Sequence, residues 1–306
     1  MTIPTRPLGK TGVDVTMLGY GAMELRGQPR GPAIDDEEAG RLLNAVLDGG
    51  ISLIDTSIDY GTSEELIGRH LAGRREEYFL ASKCGCMLGE PPPEARPPLP
   101  HDFSGANVRA GVEQSLRRLR TDRLDLVQVH LSPSREQMEA DGTVEAMMAL
   151  RDEGKVRFLG MSGTLPNLPD HIAMGVFDVF QIPYSAVQRE HEELISRAAS
   201  AGAGVLVRGG AARGAPSEEK DWKVPPIGLD QGEAQRRWDE SGVDELLDGM
   251  GRLEFVLRFT LSHPGLSSTI VGTSRIDHLE SNLAIAAKGP LPADLYEEAK
   301  RRLDAG

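Results

Sequence analysis

The sequence alternates amphipathic helical segments with short apolar runs, and this alternation is the feature that most constrains the fold. The first clear unit starts at Asp35, where Glu38 follows three residues later as in a capping box. Gly49 and Gly50 end the predicted helix, and the run I-S-L-I-D follows at once as a short strand. The apolar positions that share one face of this helix are Ala39, Leu42, Leu43, Val46 and Leu47.

The same unit recurs along the rest of the chain. Thr62 and Glu65 predict the capped start of the next helix, and Met147 and Met148 are predicted core residues of a later one. Counted from a strand near Met17, eight strands are each followed by a helical segment. After I-S-L-I-D, the apolar runs are Y-F-L-A-S-K, L-D-L-V-Q-V-H, K-V-R-F-L-G-M-S, F-D-V-F-Q-I, G-V-L-V-R and S-S-T-I-V-G.

These runs are apolar throughout, which is typical of parallel strands that are buried on both faces. Eight such units in 306 residues predict an α/β fold, a closed (β/α)8 TIM barrel that forms one domain over residues 1–306. A doubly wound parallel sheet is the alternative. The opening R-P-L-G-K-T-G-V-D-V predicts a short β-hairpin ahead of the barrel.

Two stretches interrupt the alternation, at residues 84–104 and 209–240. Both are rich in Pro, Gly or charge, and the second carries Trp222 and Trp238. Each follows the C-terminal end of a strand, the face on which barrel enzymes build their active sites. We therefore predict long substrate loops at this face, with disorder as the alternative.

The net charge of −13 argues against nucleic acids and anionic membranes as partners. An N-terminal leader pattern and an apolar run of membrane-spanning length are both missing from the sequence, so a cytoplasmic enzyme is expected.

The two cysteines, Cys84 and Cys86, are separated by one residue, which makes a mutual disulfide awkward. Two ligands do not make a zinc site, so reduced thiols on a loop and no bound metal are expected.

Polar side chains end three consecutive predicted strands. The second strand delivers Asp55 and, five residues later, Tyr60; the third delivers Lys83; the fourth delivers His130. Because the C-terminal ends of barrel strands meet at one mouth, these four side chains are expected to lie together. An acid, a phenol, an amine and an imidazole in one place can transfer a proton to a carbonyl oxygen.

Elementary acid–base chemistry suggests a role for each group. A phenol has a pKa near 10, and the ammonium of Lys83 would lower the pKa of Tyr60 by stabilising the phenolate. Asp55 would keep a buried Lys83 charged, and His130 would hydrogen-bond and orient the incoming carbonyl. Since these side chains cannot donate a hydride, a cofactor must supply it.

The string D-T-S-I-D-Y-G-T-S-E-E-L-I-G resembles the aldo-keto reductase signature around the catalytic Asp and Tyr. The string V-R-A-G-V-E-Q-S-L-R-R-L-R-T-D-R-L-D-L-V-Q-V-H resembles the second signature of that family, and the similarity extends over essentially the whole chain. The resemblance implies reversible hydride transfer between NAD(P)H and an aldehyde or ketone, with Tyr60 as general acid. It also implies that Lys83 and Asp55 tune the pKa of Tyr60 and that His130 orients the substrate.

The resemblance further implies a set of cofactor contacts. Ser162 and Gln181, at the ends of the fifth and sixth strands, match positions that hydrogen-bond the nicotinamide carboxamide. A backbone segment after the first strand runs along the cofactor. The residues of that segment are Gly21, Ala22 and Met23.

Three positions depart from the family pattern. Gly163 replaces an Asn after Ser162, Arg208 stands where an aromatic often stacks on the nicotinamide, and Gly272 stands where many members carry a phosphate-binding Lys. Arg208 could bind an anionic substrate or the cofactor pyrophosphate, or serve only in a structural ion pair.

The turn after the eighth strand can still bind the cofactor, because amides at a strand-to-helix turn bind anions. Ser274 and Arg275 are the expected phosphate ligands, with Asn282 near the adenine. Thr273 belongs to the same turn. The string G-T-S-R-I-D-H-L-E-S-N resembles members that lack the Lys yet use NADPH, so NADP is favoured over NAD.

Three functions stay open on the sequence. The first is NADP-dependent reduction of a small aldehyde or ketone. The second is oxidation of a sugar or related alcohol, with NAD as a possible cofactor. The third is a nicotinamide-binding regulatory subunit like the β-subunits of potassium channels, which share the barrel. The sequence does not indicate the oligomeric state.

Overall fold

A hairpin of two short strands precedes the main fold, as the sequence predicts. The computed structural model describes residues 2–28, 31, 33–89, 100–211 and 231–305, with the side chains of 231 and 305 excepted. Strands β1 (Thr5–Pro7) and β2 (Asp14–Thr16) pair antiparallel. Leu8 and Val15 from this hairpin are fully buried against side chains inside the barrel, so the hairpin closes the end where the strands begin.

The described chain contains a closed barrel of eight parallel strands in the order β10-β3-β4-β5-β6-β7-β8-β9. This confirms the (β/α)8 prediction and excludes the doubly wound alternative. The strands are β3 Leu18–Gly21, β4 Leu53–Asp55, β5 Phe79–Cys84, β6 Leu124–Val129, β7 Val156–Ser162, β8 Val179–Pro183, β9 Gly204–Arg208 and β10 Ser268–Val271.

Helices surround the barrel and connect its strands. They are α1 Asp36–Asp48, α2 Ser63–Leu71, α3 Gly105–Leu119, α4 Arg135–Asp141, α5 Thr143–Asp152, α6 Leu168–Met174, α7 Glu192–Ser200, α8 Gln231–Ser241, α9 Arg252–Ser262, α10 Ile276–Ala287 and α11 Ala293–Ala305. Short 3-10 segments lie at Gly9–Thr11, Ala22–Leu25, Ala72–Glu77 and Val243–Leu246.

One of the two predicted helix caps is confirmed. The Asp35 side chain accepts a hydrogen bond from the backbone N–H of Glu38 at 2.9 Å, which satisfies a donor in the first turn of α1. The prediction for Thr62 is wrong in its chemistry. Helix α2 does begin after this residue, but the Thr62 hydroxyl donates to the carbonyl oxygen of Leu25 at 2.9 Å and so ties the α2 start to the loop after β3.

Two apolar layers form the core. Inside the barrel, apolar side chains from six strands pack together above the hairpin: Leu53, Phe79, Leu126, Val179, Leu206 and Ile270. A larger layer lies between strands and helices and includes Met147. Met148, predicted as a second core residue, is 41% exposed because α5 turns it away from the barrel.

The second predicted loop is partly helical. Of residues 209–240, the structure describes 209–211 and α8; residues 212–230, with Trp222, lie outside the described part. Trp238 is fully buried, packs edge-to-face on Phe255 and donates to Asp244 Oδ1 at 2.8 Å. Trp238 is therefore a packing residue of the helical layer. Of residues 84–104, the structure describes 84–89 and 100–104.

We find no helix in the described ranges with the length and apolar character that crossing a membrane requires.

Candidate active site

Neighbouring barrel strands bring the four predicted catalytic residues together. Asp55 is the last residue of β4, Lys83 is the fifth residue of β5, His130 directly follows β6, and Tyr60 lies in the turn after β4. Because β4, β5 and β6 are adjacent and parallel, their C-terminal ends deliver these side chains to one mouth.

Lys83 links the acid to the phenol. Its Nζ donates to Asp55 Oδ2 at 2.7 Å and to the carbonyl oxygen of Thr56 at 2.8 Å. The same Nζ lies 4.8 Å from the centre of the Tyr60 ring. Lys83 and Asp55 are 1% and 4% exposed, so this is a buried ion pair whose charges depend on each other.

The other oxygen of Asp55 is bound by two glutamines. Oδ1 accepts from Gln128 Nε2 and from Gln181 Nε2, each at 2.9 Å. The carboxylate therefore has three donors in fixed directions, which orients it towards Lys83. Sequence reasoning missed Gln128. The available signal was a polar residue inside the otherwise apolar run L-D-L-V-Q-V-H, since a buried polar group needs a partner.

The predicted effect of Lys83 on the pKa of Tyr60 is present, but burial outweighs it. Burial raises the pKa of Tyr60 to about 12, and the positive charge of Lys83 lowers it by less than burial raises it. For Lys83, burial is the largest single effect and lowers the pKa, but the charge and hydrogen bond of Asp55, together with the neighbouring Tyr60 and Asp59, outweigh it, so the net pKa is raised. Tyr60 is therefore a protonated phenol and Lys83 a stable ammonium at neutral pH.

His130 is neutral at neutral pH. Burial lowers the pKa of its imidazole to about 3, and the charges of Lys83 and Arg208 act in the same direction. The ring lies edge-on to Tyr60, with 6.3 Å between the ring centres. A neutral imidazole has one N–H donor and one acceptor, so it can hydrogen-bond a carbonyl without carrying charge.

Three residues that sequence reasoning did not assign to the site surround His130 Nδ1. Cys86 Sγ lies 3.3 Å away, His101 Nε2 lies 3.2 Å away, and Asp59 Oδ2 lies 3.8 Å away. The fold thus groups Cys86 with three other donors rather than with Cys84. Sequence spacing gave no signal for this group, because His101 approaches from far along the chain.

The cysteine predictions are half right. Both residues are free thiols, as expected. The loop placement is wrong for Cys84, which is the last residue of β5, and right for Cys86, which follows that strand; both side chains are buried. Burial raises the pKa of the Cys86 thiol well above its usual value.

The structure brings the predicted carboxamide ligands next to the Asp55 carboxylate. Ser162, the last residue of β7, donates to Gln181 Oε1 at 3.3 Å. Gln181 is the third of five residues in β8 rather than its end, and its amide nitrogen is the one bound to Asp55. Arg208 ends β9. Burial lowers the pKa of His130 and of His191, and the positive charge of Arg208 contributes in the same direction to both.

Next to β9 around the barrel, the turns after β3 and β10 pack closely. A Cβ placed on Gly272 would lie 2.7 Å from the carbonyl oxygen of Gly21, too close for any side chain without movement of the backbone. Tyr20 donates to the carbonyl oxygen of Thr273 at 2.7 Å and holds the same two turns together. The glycine at position 272 thus has a steric cause: close contact between the turns leaves no room for a lysine there.

The predicted phosphate ligands lie where α10 begins. Thr273 is buried, and its hydroxyl accepts from the backbone N–H of Arg275 at 3.0 Å. Ser274 is exposed, and Asn282 is buried on α10. The Arg275 side chain is 64% exposed and forms a two-point ion pair with Asp277, with Nε 3.0 Å from Oδ1. A phosphate would have to compete with this carboxylate. Ala22 and Met23 lie in the 3-10 segment that follows Gly21.

An eight-stranded parallel barrel with a buried Lys–Asp pair, a phenol and a neutral imidazole at its C-terminal mouth defines a class of oxidoreductase. The sequence model of the aldo/keto reductase family matches residues 17–303. This chain belongs to the aldo/keto reductase family.

Three similar proteins match nearly the full chain at low identity. L-galactose dehydrogenase from Arabidopsis thaliana is 29% identical over 92% of this chain and 88% of its own length. The holo form of aldo-keto reductase AKR11C1 from Bacillus halodurans is 27% identical with a TM-score of 0.83, covering 98% of this chain and 96% of that one. Glycerol dehydrogenase AKR11B4 from Gluconobacter oxydans is 25% identical with a TM-score of 0.81, covering 98% and 95%.

Proposed function

We propose that this protein is an NADP-dependent reductase that reduces the carbonyl of a small aldehyde or ketone by hydride transfer, with Tyr60 as the general acid. The observation that carries the proposal is the buried Lys83 ammonium, which contacts Asp55 on one side and the Tyr60 ring on the other. We expect the enzyme to work in the cytoplasm.

The residues at the mouth fit a nicotinamide cofactor. Ser162 and Gln181 present a hydroxyl and an amide beside the catalytic group, which suits a carboxamide. The turn before α10 offers backbone N–H groups and the Arg275 guanidinium, which suit a phosphate. When bound, the cofactor supplies the hydride; the protein supplies the proton and the positioning.

Each catalytic side chain has a defined task in this proposal. Tyr60 keeps its proton until the substrate's carbonyl oxygen becomes basic, which happens as the carbonyl carbon gains hydride. It then donates the proton to that oxygen. Lys83 stabilises the phenolate that remains, because its charge is maintained by Asp55. Neutral His130 donates a hydrogen bond to the same carbonyl oxygen and fixes its direction. Alcohol oxidation is the reverse sequence, with Tyr60 accepting the proton.

Tyr60→Phe tests the assignment, because it removes the proton donor and retains the ring. We expect kcat to fall by about 100- to 10,000-fold, while the NADPH dissociation constant stays near that of the wild type. Steady-state kinetics measure kcat, and fluorescence titration with NADPH measures the dissociation constant. Substantial residual turnover would rule out Tyr60 as the acid.

A second candidate is oxidation of a sugar or polyol, since the names of two relatives specify L-galactose and glycerol as dehydrogenase substrates. Arg208, at the C-terminal end of β9, places hydrogen-bond donors at the mouth that suit hydroxyl-rich substrates. A panel of aldehydes and ketones with NADPH, run beside polyols and aldoses with NADP⁺ and NAD⁺, separates the two. A kcat/KM higher for oxidation of polyols than for reduction of simple aldehydes would favour this candidate.

A further inference from the structure

We propose that Asp59, Cys86, His101 and His130 form a binding site for a divalent transition-metal ion with the ligand preferences of zinc. One donor atom from each residue lies within 4.8 Å of all the others. The group adjoins the catalytic residues through His130, and it does not depend on which substrate the enzyme uses.

The distances from His130 Nδ1 to the other three donor atoms are close to those in a tetrahedral site. Zinc bound to nitrogen, oxygen and sulfur at about 2.0–2.3 Å places neighbouring donor atoms about 3.3–3.6 Å apart. From His130 Nδ1, the measured distances are 3.2 Å to His101 Nε2, 3.3 Å to Cys86 Sγ and 3.8 Å to Asp59 Oδ2. Small side-chain movements would therefore complete the coordination shell.

The ligand types select the metal. A thiolate and two imidazoles are typical ligands of zinc, whereas calcium and magnesium prefer oxygen-only shells. On binding, the Cys86 thiol releases its proton to solvent and becomes a thiolate. The thiolate and the Asp59 carboxylate together carry the two negative charges that neutralise a divalent ion.

Asp59 is held by a neighbour that leaves one oxygen for a metal. The Ser57 hydroxyl donates to Asp59 Oδ1 at 2.6 Å, so Oδ2 is the oxygen that faces His130 Nδ1. Hydrogen bonds of this kind orient metal ligands and strengthen their binding.

Backbone and side-chain contacts hold Cys86 and His101 next to each other. Cys86 and His101 form an isolated antiparallel bridge. The Asn107 side chain donates to the carbonyl oxygens of Cys86 at 3.1 Å and of Asp102 at 2.7 Å. The His101 ring also packs on Phe103. The positions of both ligands are thus defined by neighbours, which a metal site needs.

The site would also determine the tautomer of His130. A metal on Nδ1 requires the proton to sit on Nε2, the nitrogen that remains for a substrate oxygen. His130 would then donate a hydrogen bond in a fixed direction. His101, Cys86 and Asp59 act on the substrate only through His130, so they are positioning residues.

Metal content tests the proposal directly and without an activity assay. The full-length protein is stripped with a chelator, dialysed against ZnCl₂ and analysed by mass spectrometry for bound metal. In parallel, CoCl₂ is titrated and the visible and near-ultraviolet spectrum recorded. We expect one ion per chain, strong visible bands of tetrahedral cobalt and a sulfur-to-cobalt charge-transfer band. A chain that retains no stoichiometric zinc and gives only a hexaaqua-type cobalt spectrum would overturn the proposal.

Ligand variants locate the site. Cys86→Ser is expected to abolish the charge-transfer band, and His101→Gln to weaken zinc affinity by more than about 100-fold. Cys84→Ala and His278→Asn are matched controls, because Cys84 lies outside the group and His278 is exposed on α10. Both controls should bind zinc like the wild type. Thermal melting of the metal-free proteins verifies folding. Unchanged cobalt spectra in Cys86→Ser and His101→Gln would place the metal elsewhere and refute the proposed site.

Discussion

The two sides of the barrel mouth differ in how they hold their polar groups. On the β4–β6 side, Asp55 and Lys83 are buried and every charge has several partners. On the β10 side, Arg275 is mostly exposed and pairs with Asp277 in the first turn of α10. Removing one member of a buried ion pair strongly lowers the free energy of unfolding, whereas an exposed ion pair contributes little to it.

Under the proposed function, this difference fits separate tasks for the two sides. Chemistry at a carbonyl needs groups fixed to within a fraction of an ångström, which burial and multiple hydrogen bonds provide. Recognition of one extra phosphate on a cofactor needs only an accessible cation near backbone amides. Variants on the β4–β6 side are therefore expected to change kcat strongly, and variants on the β10 side to change cofactor preference.

The largest effect is expected for Lys83→Met, which removes the ammonium and leaves Asp55 buried without its partner. Turnover should fall by about 100- to 10,000-fold, and the free energy of unfolding by about 3–5 kcal/mol. Urea unfolding and single-substrate kinetics measure the two losses.

The double variant Lys83→Met/Asp55→Asn separates stability from chemistry. It removes the uncompensated negative charge while the Asn side-chain carbonyl still accepts from Gln128 or Gln181. Stability should recover in part and turnover should stay lost. Recovery of turnover together with stability would contradict the role of Lys83 in tuning Tyr60.

Gln128→Leu should have an intermediate effect. It removes one of the two glutamine donors on Asp55 Oδ1 and leaves Lys83 in place. We expect kcat to fall about 10- to 100-fold with little change in cofactor affinity, because the loss is one hydrogen bond to a charged group, about 1.5–3 kcal/mol. Gln128→Glu is the matched variant that retains shape but places a second carboxylate beside Asp55. If kcat of Gln128→Leu is unchanged, Gln181 and Lys83 are sufficient to orient the Asp55 carboxylate.

How far the sequence predicts this architecture depends on whether a pattern is local. The alternation of helices and strands predicts the barrel. Asp55, Lys83 and His130 could be predicted to lie together because each is a polar residue near the C-terminal end of a strand, and parallel barrel strands end at the same mouth. The cap at Asp35 is also local, and it is confirmed. Helix α2 shows the limit of this reasoning, because the acceptor of the Thr62 hydroxyl lies on a different loop.

Contacts between distant segments could not be predicted. Gln128 on β6 reaches Asp55 on β4 across the one strand between them, β5, and His101 reaches His130 from a loop whose path the sequence does not specify. The pKa of Tyr60 needed the depth of burial as well as the neighbouring charge, and burial has the larger effect. Close packing of Gly272 on Gly21 likewise depends on the turn geometry at two separate strand ends.

On the β10 side, Arg275→Ala tests whether this cation reads the cofactor phosphate. We expect the NADPH dissociation constant to rise about 10-fold while that for NADH changes little, since one charge-assisted contact is lost at an exposed position. Fluorescence titration of both cofactors gives the ratio. An unchanged ratio would show that Arg275 does not contact the phosphate.

The smallest effect is expected for Asp277→Asn, and it asks whether the ion pair with Asp277 limits the use of Arg275. The substitution removes the negative charge that competes with a phosphate for the guanidinium. NADPH affinity should increase relative to NADH by up to about five-fold, because exposed ion pairs are worth about 0.2–1 kcal/mol. The gain should disappear in Arg275→Ala/Asp277→Asn, whose ratio should equal that of Arg275→Ala alone. If the double variant binds NADPH more tightly than Arg275→Ala, the effect of Asp277→Asn comes from the net charge near α10. The ion pair with Asp277 would then not limit the contact of Arg275 with the phosphate.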